Sequence, residues 1–422
     1  MKDVIKILQE RSLFDNITSP DIHKILKSSA VIYAGFDPSS DSLQVGNLAA
    51  IMALSLFQRC GHKVIALIGG GTGMIGDPSG KANERRLLNA DEVEQNVVGI
   101  RKNLSRVLDF DHPSTPAIIV NNNDWLKDFS FLDFLREVGK HFRIGAMLGK
   151  DSVRTRLKSE AGMSFAEFSY QLLQAYDFLK LYDRDGCLIQ IGGSDQWGNI
   201  TAGIDLMRKL RNVESYGVTI PLICDSTGVK FGKSENNAVY LDDSKTSYYD
   251  FYQFFMRTAD VDAVRFLKIF TFLPLAEIFK LEQQLKQDPE KHICQKKLAE
   301  EVTRMVHGEH GLQIALHASS VLFGESMDGL CADDLLDIFA NVESTELPGQ
   351  KVVDSLVVDV AVETGLCKSK GAVRRLIESG GLYINNKRVK SIQVEISPAD
   401  IVDNRILVLR SGKKTFHLIK VI

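Results

Sequence analysis

A chain of 422 residues is too long for one ordinary core, and a prior of roughly 100–200 residues per domain leads to an expectation of three domains. Hydrophobic residues at 44% and charged residues at 25% are ordinary for a soluble globular protein, and no run approaches the roughly 18 uninterrupted apolar residues of a membrane span. The net charge of −3 carries no whole-chain sign of nucleic-acid binding, yet residues 351–422 hold 13 Lys and Arg against 7 Asp and Glu, a net +6 that leaves −9 on the first 350. A basic terminal module on an acidic body is the asymmetry expected where one part meets a polyanion.

The opening segment, from Met1 to Arg11, carries acids and reads as an amphipathic helix, unlike a signal peptide's apolar core or an acid-poor transit peptide, so a cytoplasmic protein is expected. From there to residue 223 short β-branched runs alternate with longer helical patterns: Val31 to Asp37, Lys63 to Gly69, Ala117 to Val120, Cys187 to Ile191 and Val218 to Ile223. This alternation predicts a parallel, Rossmann-like α/β sheet with crossover helices, and ligands at the carboxyl ends of its strands. Between about Ser247 and Phe323 the strand signal vanishes and helical periodicity takes over. Residues 324–350 are acidic, contain Gly, Ser and Pro, and lack a strong period, so they read as a linker before a last α+β module. The expected boundaries are therefore 1–223, 224–323, 324–350 and 351–422. Six cysteines, Cys60, Cys187, Cys224, Cys294, Cys331 and Cys367, lie far apart with no Cys-x-x-Cys pair, which indicates neither a zinc site nor a disulfide framework.

Three loops carry candidate chemistry. The first strand ends in Gly35-Phe-Asp37-Pro-Ser39, and Leu43-Gln44-Val45-Gly46-Asn47 then opens an apolar-periodic helix. Small residues and amides at a strand-to-helix turn suit backbone approach to phosphate beside a helix N-terminus, although an ordinary capped turn has the same composition. The second loop, Gly192-Gly-Ser-Asp195-Gln196-Trp-Gly-Asn199, follows an apolar strand. Its glycines permit a ligand's close approach, and Asp195 can accept from ribose hydroxyls or simply cap the next helix. The third, Lys230-Phe-Gly-Lys233-Ser234, places two lysines around a glycine, either solvated or poised to meet charge developing on phosphate. One helix supplies a sharper pattern: Tyr170, Gln174 and Asp177, at i, i+4 and i+7, project from one face. That face is a polar-lined slot if it meets the strand ends, and an ordinary wet surface if it does not.

Together Tyr33-Ala-Gly-Phe-Asp37-Pro, Gly76-Asp77-Pro-Ser-Gly-Lys81, Ser169 to Asp177, Gly192 to Asn199 and Lys230 to Ser234 resemble, in order and approximate spacing, the motifs of bacterial-type tyrosyl-tRNA synthetases. The resemblance implies a class I catalytic domain that joins tyrosine to ATP as tyrosyl-adenylate and passes it to tRNA(Tyr). It assigns the substrate's phenol to Tyr33 and Asp177, and its ammonium group to Asp77, Tyr170 and Gln174. Gly35, Asp37, Ser39, Gly46, Gly192, Asp195 and Gln196 would line the ATP side, and Lys230 and Lys233 would meet the leaving pyrophosphate. Magnesium would arrive with ATP, with no dedicated protein metal site expected. The segment Gly365-Leu-Cys-Lys368-Ser-Lys370-Gly-Ala-Val-Arg374-Arg375 to Lys387 is similar to a small RNA-binding domain shared with a ribosomal protein, which implies phosphate contacts from these five cations. A homodimer is implied likewise.

The chain departs from the family pattern at one place: Gln44 and Asn47 stand where two histidines are usual. Amides keep hydrogen-bond donors but cannot become cationic, so less pH dependence is expected from this element. Two rivals remain: a catalytically silent RNA-binding relative, which would have no need of the intact Asp37, Asp177, Asp195 and lysine set, and a tryptophan-specific ligase, which Tyr33 and Asp177 suit poorly.

Overall fold

In the computed structural model a two-residue strand β1 (Asn16–Ile17), which the sequence reading did not include, precedes the five β-branched runs, and these become β2 (Val31–Phe36), β3 (Lys63–Ile68), β4 (Ile118–Asn121), β5 (Ile189–Gly193) and β6 (Tyr216–Ile220). The structure describes residues 1–79, 88–158, 162–232, 238–322, 324–339, 342–412 and 415–422. Its contacts divide the chain into two units, Met1–Thr246 with Gln253–His307, and Ser247–Tyr252 with Gly308–Ile422.

In the first unit the sheet order is β1-β6-β5-β2-β3-β4, with β2 to β6 parallel and the two-residue β1 antiparallel on the edge. β6 is buried at every position and β3 at every position after Lys63, as a sheet covered on both faces requires. The chain leaves β2 for β3 and β4 on one side and then returns to β5 and β6 on the other. The helices that follow β2 and β5, Val45–Arg59 and Trp197–Arg211, therefore diverge from neighbouring strands, and a crevice opens at their carboxyl ends.

The helix Phe165–Asp185 closes that crevice. Ser164 starts it with a reciprocal capping box to Glu167, and Gly186 ends it at φ +67, a left-handed position that glycine tolerates. Its inner face packs Ala175, Phe178 and Leu179 with Tyr33, Ile65 and Leu67. Helices Tyr248–Met256, Asp260–Phe270, Leu275–Gln287 and Ile293–Leu322 supply the strandless stretch, the last interrupted at Gly308.

In the second unit β7 (Ser344–Leu347), β8 (Leu382–Ile384), β9 (Lys387–Arg388), β10 (Ile406–Ser411) and β11 (Thr415–Val421) form a sheet in the order β7-β11-β10-β8-β9. This corrects the linker reading of 324–350. The stretch holds a helix, Ala332–Ile338, and β7 pairs in parallel with β11. Acidic residues masked the pattern, but Leu335, Ile338 and Phe339 are buried at i, i+3, i+4 spacing against Phe416 and Leu418. The sheet and the helices Val357–Glu363 and Lys370–Glu378 enclose a second core that includes Val358, Val373, Ile377 and Ile419.

Candidate active site

The crevice at the strand ends is a cleft of about 320 Å³, and it gathers side chains from all the motifs of the first unit. Tyr33, at the middle of β2, is wholly buried, and its hydroxyl has no partner among the described residues. Asp177, also buried, lines the same cleft from the Phe165–Asp185 helix. Both oxygens of its carboxyl are held: Asn122 Nδ2 donates to Oδ2 at 2.9 Å and Trp125 Nε1 donates to Oδ1 at 2.8 Å. Burial pushes the Asp177 carboxyl up to about 7 against the pull of those two donors, and burial followed by the nearby Asp177 charge raises the Tyr33 phenol.

Two hydrogen-bond chains order the cleft, the first of them starting at this closed end. In the first, Asn122 Nδ2 also donates to Thr72 Oγ1 at 2.9 Å, Thr72 donates to Asp37 Oδ1 at 3.0 Å, and Tyr170 donates to Asp37 Oδ2 at 2.8 Å. In the second, Asn199 donates to Gln174 Oε1 at 2.9 Å, Gln174 to Gln196 Oε1 at 3.2 Å, and Gln196 to Asp77 Oδ2 at 2.6 Å. Tyr170 and Gln174 thus do face the strand ends, and the i, i+4, i+7 face lines a polar slot rather than a wet surface. Burial, and then the charges of Asp37 and Asp77, raise the Tyr170 phenol; burial and then Asp77 raise the Asp195 carboxyl.

Close backbone approach shapes the floor. A Cβ at Gly69 would collide with the Asp37 carboxylate, so the glycine run after β3 is what lets Asp37 turn inward. Gly35, Ser39, Gly46, Asn47, Gly192, Asp195, Gln196 and Lys230 all line the cleft. Gln44 is not among the lining residues. It is the residue before the Val45–Arg59 helix, its N–H donates to Asn47 Oδ1 at 3.0 Å, and it makes an isolated bridge with Tyr240. Lys233 and Lys81 lie outside the described residues.

Sequence reasoning missed Thr72, Asn122 and Trp125, the residues that orient Asp37 and Asp177. The signal was present: they directly follow β3 and β4, whose carboxyl ends the parallel sheet turns toward any ligand. Among the described residues no group of three His, Cys, Asp or Glu is arranged to hold a metal ion, and no helix is long and apolar enough to cross a membrane.

In the second unit Lys368, just before the Lys370–Glu378 helix, and Lys370, Arg374 and Arg375 along it are exposed, while Val373 and Ile377 of the same helix face the core. Lys370 pairs with Asp359 at 2.6 Å, and Lys387, on β9, with Asp328 at 2.9 Å.

Residues 26–324 match the description of tRNA synthetases class I (W and Y), and residues 334–419 that of a tyrosine–tRNA ligase SYY-like C-terminal domain. A tyrosine–tRNA ligase of Protochlamydia amoebophila (strain UWE25) is 48% identical over 421 residues, covering 100% of this chain and 99% of the relative. A chloroplastic/mitochondrial tyrosine–tRNA ligase of Arabidopsis thaliana is 47% identical, covering 99% and 84%. Among solved structures, a C-terminally truncated mitochondrial tyrosyl-tRNA synthetase of Aspergillus nidulans superposes with a TM-score of 0.68 at 32% identity, over 76% of this chain and 95% of that one.

Proposed function

The chain belongs to the class I tRNA synthetases and is a tyrosine–tRNA ligase, and from that premise we propose how its residues divide the work. A tyrosine carboxylate oxygen attacks the α-phosphorus of ATP, the bond from that phosphorus to the bridging oxygen breaks, and pyrophosphate leaves. A ribose hydroxyl at the 3′ end of tRNA(Tyr) then attacks the tyrosyl carbonyl and AMP leaves. Neither step needs a protein nucleophile, so catalysis is positioning together with stabilisation of charge as it develops on phosphate.

The observation that carries the assignment is the closed end of the cleft, where a Tyr33 hydroxyl with no partner among the described residues accompanies an Asp177 carboxyl held by Asn122 and Trp125. A phenol hydroxyl satisfies both groups, whereas phenylalanine leaves buried polar atoms unpaired. Asp77, Tyr170 and Gln174 then take the ammonium group. The adenosine and ribose lie along Gly35, Asp37, Ser39, Gly46, Gly192, Asp195 and Gln196, and Lys230 with Lys233 meets the pyrophosphate. Of the two amides that stand for histidines, Asn47 is the one whose position supports phosphate contact, and Gln44 acts through the helix start. Magnesium enters with the phosphates of ATP: the carboxylates Asp37 and Asp77 are already engaged by Tyr170, Thr72 and Gln196.

The basic face at Lys368, Lys370, Arg374 and Arg375, with Lys387, is read as the surface for the tRNA backbone. A homodimer through the first unit is supported by large exposed apolar side chains crowded into one stretch of chain: Phe131, Leu132, Ile144 and Phe165, each at least 64% exposed. The enzyme is placed in the cytoplasm, where translation consumes its product. Tyrosine-dependent exchange of pyrophosphate into ATP, with tryptophan and phenylalanine as controls, tests the assignment. Exchange with tyrosine alone is expected, and a folded protein that exchanges with none or prefers tryptophan overturns it.

A further inference from the structure

We propose that Phe231 is a positioning residue for the adenylation step: its ring is the anchor that sets where Lys230 stands beside the start of the Val45–Arg59 helix. The inference rests on the reading of Lys230 as a phosphate-facing lysine.

The ring of Phe231 lies among four other phenylalanines, with centroids 4.4 Å from Phe266, 5.0 Å from Phe254, 5.1 Å from Phe270 and 6.0 Å from Phe255. Phe255, Phe266 and Phe270 are fully buried, and they also pack on one another, so the socket holds its shape apart from the ring that enters it. Phe231 itself is only half-buried, on a loop that is also held by Asp225 and Asp262, whose carboxylates accept from the N–H groups of Val229 and Ser226. Its N–H donates to Ile223 O at 2.9 Å, and Gly232 O accepts from Val239 N at 3.1 Å.

That docking brings the loop against the first turn of the helix. A Cβ on Gly46 would come within 3.0 Å of Phe231 O, and Gly232, at φ +101, lies so close that its Cβ would stand 2.7 Å from Gly46 N. Lys230 is the next residue back along the chain and lines the cleft. A lysine's flexible stem fixes its ammonium only as well as its own Cα is fixed. A bulky neighbour seated in a socket narrows the freedom of the Lys230 Cα, so less is left to order when the lysine meets the breaking α-to-β phosphate bond.

The experiment is a double-mutant cycle on ATP–pyrophosphate exchange by the full chain. Phe231→Ala is expected to lower kcat roughly ten- to a hundredfold while the tyrosine Kd without ATP stays within about twofold, and Phe231→Met to restore most of the loss. In a Lys230→Ala background the Phe231→Ala loss should largely vanish, because no ammonium is left to position. Unchanged kcat in Phe231→Ala, a tyrosine Kd that weakens in step with kcat, or losses that simply multiply in the double variant each overturn the proposal. Should Phe231→Ala not fold, Phe254→Leu shortens one wall of the socket and is read by the same outcomes. A Lys230→Ala enzyme with normal kcat would refute the lysine reading itself, whereas a slow Lys230→Ala beside a normal Phe231→Ala refutes only the anchor.

Discussion

Asp177 is a carboxyl taken wholly out of water, and its titration is expected to be visible. Its folded value of about 7 lies above the ordinary 3.8, so between the two the folded chain holds a proton that the unfolded chain has released. Unfolding then gives up a proton, and the stability this group contributes falls as pH rises from about 4 to about 7 and is level beyond. Melts of the wild type and Asp177→Asn across that window check the sign: the wild type should lose stability relative to the variant as pH rises, and parallel curves would refute the shift. Because Asn122 and Trp125 donate to both oxygens, the ionised form is the one prepared to accept a phenol. Tyrosine should therefore bind about tenfold tighter at pH 8 than at pH 6, the ratio of ionised fractions for a group titrating near 7. The amides at the helix start give the opposite expectation. Neither Gln44 nor Asn47 titrates there, so the two variants Gln44→Ala and Asn47→Ala should slow adenylate formation by a factor independent of pH. Asn47→Ala should be the slower, since it removes a cleft-lining group and the acceptor of the Gln44 N–H together. A pH-dependent step lost only in one of these variants would contradict this.

The Phe165–Asp185 helix is the element on which most of the site depends, and one buried ion pair steadies its start. Glu167, in the first turn, accepts from Arg156 Nη2 at 2.8 and 2.7 Å, and both side chains are almost fully buried. A pair of this kind adds little over an apolar replacement of both partners, but removing one leaves a buried charge without compensation. Arg156→Met is expected to cost about 3–5 kcal/mol of unfolding free energy and Arg156→Met with Glu167→Leu much less. Denaturant titration of both single variants and the double separates them, and a double-variant loss equal to the sum of the two single losses would show that the pair is not coupled. The same helix shows what periodicity could and could not reveal. Tyr170, Gln174 and Asp177 share a face by spacing alone. That the face meets the strand ends follows from Phe178 and Leu179 packing on Ile65 and Leu67, a contact between residues more than a hundred positions apart.

At the scale of the whole molecule, the proposed roles give adenylation to the first unit and contact with the tRNA backbone to the second, and that division is testable. Replacing Lys368, Arg374 and Arg375 together by alanine should leave ATP–pyrophosphate exchange intact, weaken tRNA charging, and flatten the salt dependence of tRNA binding by roughly one unit per lost phosphate contact. An unchanged salt slope would move the RNA surface elsewhere. Much of this was legible in the residues themselves. Alternation of β-branched runs with helical periods determined the five parallel strands, because backbone geometry ties side-chain period to element type. The motif residues were recognisable because they combine glycine, amide and acid at strand ends. What escaped was decided by contacts at long sequence separation. The Thr72, Asn122 and Trp125 support of Asp37 and Asp177, the phenylalanine socket around Phe231, and the pairing of β7 with β11 join residues that no local pattern couples. Sequence alone determined the parallel-strand and helix pattern of the first unit and which residue types stand at its strand ends, since both are written in local spacing and residue type. Tertiary structure decided which of those side chains hold one another in place, since burial and hydrogen-bond partners exist only once the chain has closed on itself.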